Sequence, residues 1–338
     1  MAGRLIKKTH RTLPAAGSPG TTLSCLTSRA ADLSLSTMKE SSPLRIADPG
    51  PLSRLTISRS ACILLALLAQ TAACAGGDAF ERVLAHNLEA QALFVPAVLD
   101  SLLAAEAPIP TAQRVGLWAR RFLADPDSEY RFGLKEGGYV ADGLIVSDHR
   151  QDCVSLIYRC SELARARDHR DAIAIALATR FAGAPHDSLI DAEGRVNYDR
   201  PEHLDYSLDM IRSGHWGRDI TSQLSGARPD SLGTARYPAG SFLYVPGAEL
   251  VPRELREGDI VWFVLNPANS SARRLRDEQG VAIGHIGLAI EEAGAIQLVH
   301  AASSALPGAY EGGRVVRVPL QEYLARVERF AGIMVTRF

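Results

Sequence analysis

The chain has 338 residues and a formal net charge of −1, divided unevenly along its length. Residues 1–73 hold 9 Lys plus Arg against 3 Asp plus Glu, and the remainder holds 28 against 35, a net of −7. An acidic mature chain gives no electrostatic case for nucleic acid, and its length fits one domain of ordinary to large size, or one domain with a helical prefix.

Residues 1–37 are rich in Ser, Thr, Gly, Pro and Ala and show no apolar period, and Met38 offers a second start. Arg54 and Arg59 then precede the apolar run Ala61 to Ala69, and Ala72-Ala73-Cys74-Ala75-Gly76-Gly77 follows. A positive stretch, a short apolar core and a small-residue end mark a secretory signal, and the run is too short to span a bilayer. Two processing readings compete. Ala73-Cys74-Ala75 fits an A-x-A cleavage site, whereas Thr71-Ala72-Ala73-Cys74 matches a lipoprotein box in which Cys74 would carry lipid and attach the protein to the membrane. Residues 1–77 are therefore expected to be leader and signal. Residues 78–338 are expected to be an exported domain of the periplasm or cell envelope.

From Asp78 to Leu123 the pattern is helical, with Phe80, Val83, Leu84, Leu88, Ala92 and Leu93 at helix spacing. Further helices are predicted from Pro96 or Ala97 to Ala105 and from Thr111 to Leu123, separated by Pro108 and Pro110. Asp125-Pro126-Asp127 turns the chain into a glycine-rich loop reaching Asp148. Asp152 is a good N-cap for a helix over Cys153–Arg167, and Asp168–Phe181 reads as another. Residues 183–225 are mixed. Strands are predicted at Leu243–Val245, Ile260–Val264, His285–Ile290, Ile296–Val299, Val315–Val318 and Ala331–Val335, with a short helix at Gln321–Val327. Helices first and an antiparallel, barrel-like sheet second make an α+β layout. There is no βαβ alternation, no G-x-G-x-x-G and no P-loop, which sets nucleotide enzymes aside.

Of the five cysteines, Cys25 and Cys62 precede the cleavage region, Cys74 lies within it, and Cys153 and Cys160 remain. Seven residues apart on one helix is about 10.5 Å of rise, too far for a disulfide. Cys160 is expected to be buried and inert. Cys153 stands at a helix start, where the macrodipole favours a thiolate and free N–H groups could hold an oxyanion. His285, in Gly284-His285-Ile286-Gly287-Leu288, lies on a buried strand and needs a polar partner. If the two strands pair through the Glu291–Gly294 turn, His300 comes beside His285 and could fix its tautomer. Nucleophile, base and orienting group make a cysteine hydrolase. Zinc is disfavoured, because no H-x-x-E-H or similar spacing supplies a third ligand; no cofactor is expected.

Asp152-Cys153-Val154-Ser155-Leu156-Ile157, His285-Ile286-Gly287-Leu288 and His300-Ala301-Ala302-Ser303 resemble, in order, the three motifs of papain-like cell-wall cysteine hydrolases of the NlpC type. Val154 and Ser155 depart from the usual Ser-Gly. That variant is more similar to the N-acetylmuramoyl-L-alanine amidase-like branch. His203-Leu204-Asp205-Tyr206 with Trp216 and Asp219-Ile220-Thr221 resembles the same branch, as do Glu257–Phe263 and Gly332–Val335. The resemblance implies a papain-like fold and attack by Cys153 on a peptidoglycan or muropeptide amide, with His285 as base and His300 as orienter. It also implies substrate contacts at Tyr130, Asp152, Ser155, Tyr206 and Trp216. A γ-D-glutamyl-diaminopimelate endopeptidase and a non-catalytic envelope-binding lipoprotein are the alternatives on the same fold.

Overall fold

A computed structural model describes residues 79–87, 92–204, 208–232 and 240–338. The leader with Met38, Cys25, Cys62 and Cys74, and the candidate contact Tyr206, lie outside the described residues.

The expected helices come first. Residues 79–87 (α1) are followed by α2 (Pro96–Glu106), α3 (Thr111–Ala124), α4 (Cys153–Leu163) and α5 (His169–Arg180). Pro96 opens α2, where its missing N–H costs nothing. Between α3 and α4, two short strands pair in parallel: β1 (Glu129–Tyr130) against β2 (Arg150–Gln151). Two caps set the helix starts. Asp152 caps α4, and the Asp168 carboxylate accepts the Asp171 N–H at 2.8 Å to begin α5. The α4 pattern was expected to reach Arg167. It stops at Leu163, and the chain turns through residues 164–168 into the second cap.

Short helices α6 (His186–Leu189) and α7 (Leu208–Ser213) lead to β3 (Arg218–Asp219), β4 (Arg228–Leu232) and β5 (Gly240–Pro246). The remaining elements are β6 (Ile260–Leu265), α8 (Ser270–Gln279), β7 (Ile283–Glu292), β8 (Ala295–Ala302), β9 (Arg314–Pro319), α9 (Leu320–Arg326) and β10 (Phe330–Arg337). The main sheet runs β4-β5-β10-β6-β7-β8-β9, with β3 on β10, and its ladders are antiparallel.

The expected barrel does not form. Among the described residues β4 and β9 are free edges, so the sheet is open. Closure would need a β4–β9 ladder. β9 instead leads directly into α9, which packs on β8 and β9.

All six residues of β6 are buried, because both faces of the sheet are covered. Ile260, Trp262 and Val264 join a core with Leu99, Trp118, Phe122, Leu156 and Leu177 from the helices. Val261, Phe263 and Leu265 join a second core with Ala272, Leu320, Tyr323 and Phe330. Period 2 thus survives in the packing while the sequence shows an unbroken apolar run. Among the described residues no helix is long and apolar enough to cross a membrane.

Candidate active site

The first turn of α4 is built by its cap. One Asp152 carboxylate oxygen accepts the Val154 and Ser155 N–H groups, each at 2.9 Å, and the Ser155 hydroxyl accepts the Asp152 N–H at 2.9 Å. The other Asp152 oxygen takes the Gly133 N–H at 2.9 Å, which ties the glycine-rich loop to the helix start. These bonds occupy the second and third amides of α4, and among the described residues the Cys153 N–H has no backbone carbonyl partner. The structure therefore places Asp152 and Ser155, both expected to contact substrate, in the helix cap with their polar atoms engaged by it.

The backbone N–H groups of Ile286, Cys153 and Val154, Ile286 first, favour the charged form of the Cys153 thiol. The β7–β8 ladder runs from Glu292↔Ala295 to Leu288↔Val299 and stops there. Beyond that pair the ladder does not continue among the described residues, and α4 packs on both strands. Cys153 packs against the helical core, whereas His285 lies opposite Phe263 of the second core.

His285 Nε2 lies 2.8 Å from His300 Nδ1. Extending the β7–β8 register puts His300 opposite Gly287, so His285 is its diagonal neighbour on the same face. Gly287 makes this possible. A Cβ there would stand 3.2 Å from the His300 Cβ and 2.9 Å from the Val299 carbonyl oxygen, and would also strike Leu298. The ring of His285 is walled by Phe263, Tyr323 and Phe330, with centroids at 5.7, 6.0 and 6.2 Å. His300 is 1% exposed, and its Nε2 has no hydrogen-bond partner among the described residues.

Burial governs the electrostatics. It pushes the His285 pKa down to about 3, helped by the nearby Arg329 charge, and pushes His300 well below the usual imidazole range, helped by His285. It also pushes the Cys153 thiol up, with the Asp152 charge adding to the effect and the three N–H groups opposing it. The helix start was expected to lower that pKa; desolvation outweighs it. Cys153 and His285 each keep some exposure, so both shifts are milder than full enclosure would give. No direct hydrogen bond joins Sγ to the His285 ring among the described residues, a common condition before substrate arrives.

Tyr130 reaches the site through the β1–β2 ladder, whose register sets it beside Gln151, two residues before Cys153. Its hydroxyl is paired with Ser303, and burial, then the Cys153 and Asp152 charges, raise its pKa. Trp216 is fully buried against Tyr158, at 5.3 Å, and belongs to the core. Behind Cys153, α4 carries a buried charge network. Arg159 Nε meets Asp148 at 2.7 Å and Arg159 Nη1 meets Glu162 at 3.1 Å, while Arg180 grips Glu162 at 2.7 and 2.8 Å.

No family model matches the chain, and no curated protein matches it either. Among solved structures, a Legionella pneumophila protein of the DUF1460 family superposes with a TM-score of 0.52 at 15% identity, covering 71% of this chain and 93% of its own. An N-acetylmuramoyl-L-alanine amidase from Bacteroides uniformis superposes at 0.48 and 20% identity, covering 67% of this chain and 98% of its own. The Legionella protein shares the fold.

Sequence reasoning singled out Cys153, His285 and His300, and the structure joins the two histidines and sets Cys153 at the start of α4, which packs on their strands. It missed the aromatic wall. Tyr323, Phe330 and Phe263 come from three separate elements, and no motif joins them. The His300-Ala301-Ala302-Ser303 segment did carry the signal for Ser303, whose partner Tyr130 is supplied by the fold.

Proposed function

We propose that this protein is a peptidoglycan hydrolase of papain-like fold that cuts the amide bond between N-acetylmuramic acid and L-alanine by cysteine catalysis. One observation carries the reading: a thiol at a capped helix N-terminus, on a helix packed against the two strands whose histidines meet at 2.8 Å. The motif resemblance supplies the substrate class.

In this reading His285 Nε2–H donates to His300 Nδ1, which leaves His285 Nδ1 as the base. The Cys153 proton passes to that nitrogen as Sγ bonds to the amide carbonyl carbon. The carbonyl π electrons move onto oxygen, where the Cys153 N–H stabilises them. Collapse breaks the C–N bond, the L-alanine nitrogen takes the proton from His285, and an acyl thioester remains on Cys153. Water, deprotonated by His285, then releases the acid and restores the thiol. Tyr130 lies beside this centre as a substrate contact. The leader places the reaction outside the cytoplasm, with Cys74 as a lipid anchor.

Mass spectrometry of soluble muropeptides incubated with the protein tests this. Free stem peptide and intact sugar are expected, with none formed by Cys153→Ser or His285→Ala. L-Ala-D-Glu left on the sugar would transfer the reading to the endopeptidase. No product from the native protein would refute hydrolysis.

A further inference from the structure

His300 carries a buried nitrogen that the proposed triad does not use. Its Nδ1 meets His285, the residue is 1% exposed, and its Nε2 has no hydrogen-bond partner among the described residues. Two tyrosine rings flank it. Tyr323 lies 4.9 Å from His300 and 6.0 Å from His285, so it spans the pair. Tyr310 lies 5.3 Å from His300, near-perpendicular at 77°, and among the described residues has no ring contact with His285. It therefore stands on the side of His300 away from His285, the side of Nε2. The loop between β8 and β9 holds it there. Leu306 and Tyr310 exchange backbone bonds at 3.0 and 3.1 Å, and the Ala309 N–H adds a third to Leu306 at 2.9 Å. A Cβ at Gly312 would lie 2.3 Å from the Ser304 carbonyl carbon, so the two arms of the loop touch.

We propose that Tyr310 is a positioning residue whose ring face receives the Nε2–H of His300 and so selects the tautomer that leaves His285 able to act as base. Burial keeps both imidazoles neutral, so each ring holds one proton and a single proton lies between them. Two arrangements satisfy that count. In the first, His285 Nε2–H donates to His300 Nδ1, His300 carries its proton on Nε2, and His285 Nδ1 keeps a lone pair. In the second, His300 Nδ1–H donates to His285 Nε2, and the proton on His285 Nδ1 blocks the base. His300 Nε2 is then a bare lone pair. An aromatic ring is negative on its face and positive at its edge. Against that face an N–H is attracted and a lone pair repelled, so Tyr310 favours the first arrangement. The acceptor is the ring, and no proton passes to Tyr310.

The inference rests on the triad of the amidase reading, but its deciding measurement needs no substrate. In protein carrying isotopically labelled histidine, long-range proton–nitrogen NMR spectra show which ring nitrogen holds the proton. His300 is assigned by the signals lost in His300→Gln. At neutral pH the native protein should show His300 protonated on Nε2 and bare on Nδ1; the reverse overturns the proposal without any variant. Tyr310→Phe keeps the ring and should keep that tautomer. Tyr310→Leu removes the ring face, and the ratio of the two tautomers should move about fivefold toward the idle one, as for one weak hydrogen bond. Its kcat on muropeptides should fall while KM holds. An unchanged tautomer in Tyr310→Leu, with only a lower melting temperature, would make Tyr310 a packing ring and overturn the role. Equal tautomer shifts in Tyr310→Phe and Tyr310→Leu would assign the effect to the hydroxyl and also overturn it. The expected tautomer in a native protein that cleaves no muropeptide would strike the amidase reading alone.

Discussion

Glu162→Gln is the perturbation whose outcome the structure fixes most closely. Glu162, Arg159, Arg180 and Asp148 have side chains no more than 3% exposed, so two positive and two negative charges balance out of water. Glu162 accepts two hydrogen bonds from Arg180 and one from Arg159. Glutamine keeps the shape, removes the charge and turns an NH2 group toward an N–H donor at one of these bonds. One guanidinium is then uncompensated in the interior, which costs about 3–5 kcal/mol. Against a total of about 5–15 kcal/mol this is a large share. With a urea slope of about 2–3 kcal/mol/M, the midpoint should fall by about 1–2 M. Glu162→Met combined with Arg180→Met should recover most of the loss. It leaves the Arg159–Asp148 pair balanced, and Tyr198 keeps its bond to the Leu144 carbonyl at 2.7 Å. A loss below about 1 kcal/mol in Glu162→Gln, or a double variant no better than the single, would show that the charges are not coupled as described.

Three further outcomes are expected. Because burial holds the His285 pKa at about 3 and raises the Cys153 thiol, the resting pair between pH 5 and 8 is thiol and neutral imidazole; Cys153 alkylation should then rise about tenfold per pH unit without a plateau, and a flat rate across that window would instead reveal a resting thiolate–imidazolium pair. Gly287→Ala should push β8 from β7, lower stability by about 1–3 kcal/mol in a urea melt and cut turnover more than it raises KM, since the His285–His300 bond depends on that approach. Cys160→Ala should leave hydrolysis within about twofold and cost on the order of 1 kcal/mol, because the residue is fully buried two turns along α4 from Cys153, about 10.5 Å of rise away.

How much of this was legible depended on how local the determining physics is. The starts of α4 and α5 could be read from Asp152 and Asp168 because a cap is a contact over two or three residues. α8 could have been read the same way and was not. Asn269 caps its start through the Ser271 and Ala272 N–H groups, and Gly280 ends it at φ 68°. Its apolar stripe is too thin to declare itself, with Ala272 buried in the second core and Leu275 against it. Sheet closure was misjudged because an alternating pattern specifies which face is buried and says nothing of which edges pair. Within the site, the meeting of His285 and His300 followed from a turn and a register. The roles drawn for Asp152 and Ser155 did not include the cap that engages their polar atoms, and Trp216, with its apolar body, fills the core beside Tyr158.

The same locality explains why the thiol was expected to be acidic. A helix N-terminus is visible in sequence and is worth about 0.3–1 kcal/mol to a nearby anion, or about 2 kcal/mol when partly buried. Burial is a property of the whole fold and can move a pKa by up to about 3–5 units, at about 1.4 kcal/mol each. Desolvation therefore wins at rest. The donors around Sγ, the Cys153 N–H among them, are not wasted by this. They act on charge when it arises, and the same dry surroundings that forbid a standing thiolate make each of those hydrogen bonds stronger once the proton has gone to His285. Under the proposed mechanism such a site would be quiet toward solvent electrophiles and active toward an amide that can accept the charge beside the helix start. That contrast can be measured. Cys153 should react slowly with iodoacetamide at neutral pH while the same protein turns over muropeptides, and fast alkylation in the absence of substrate would contradict it.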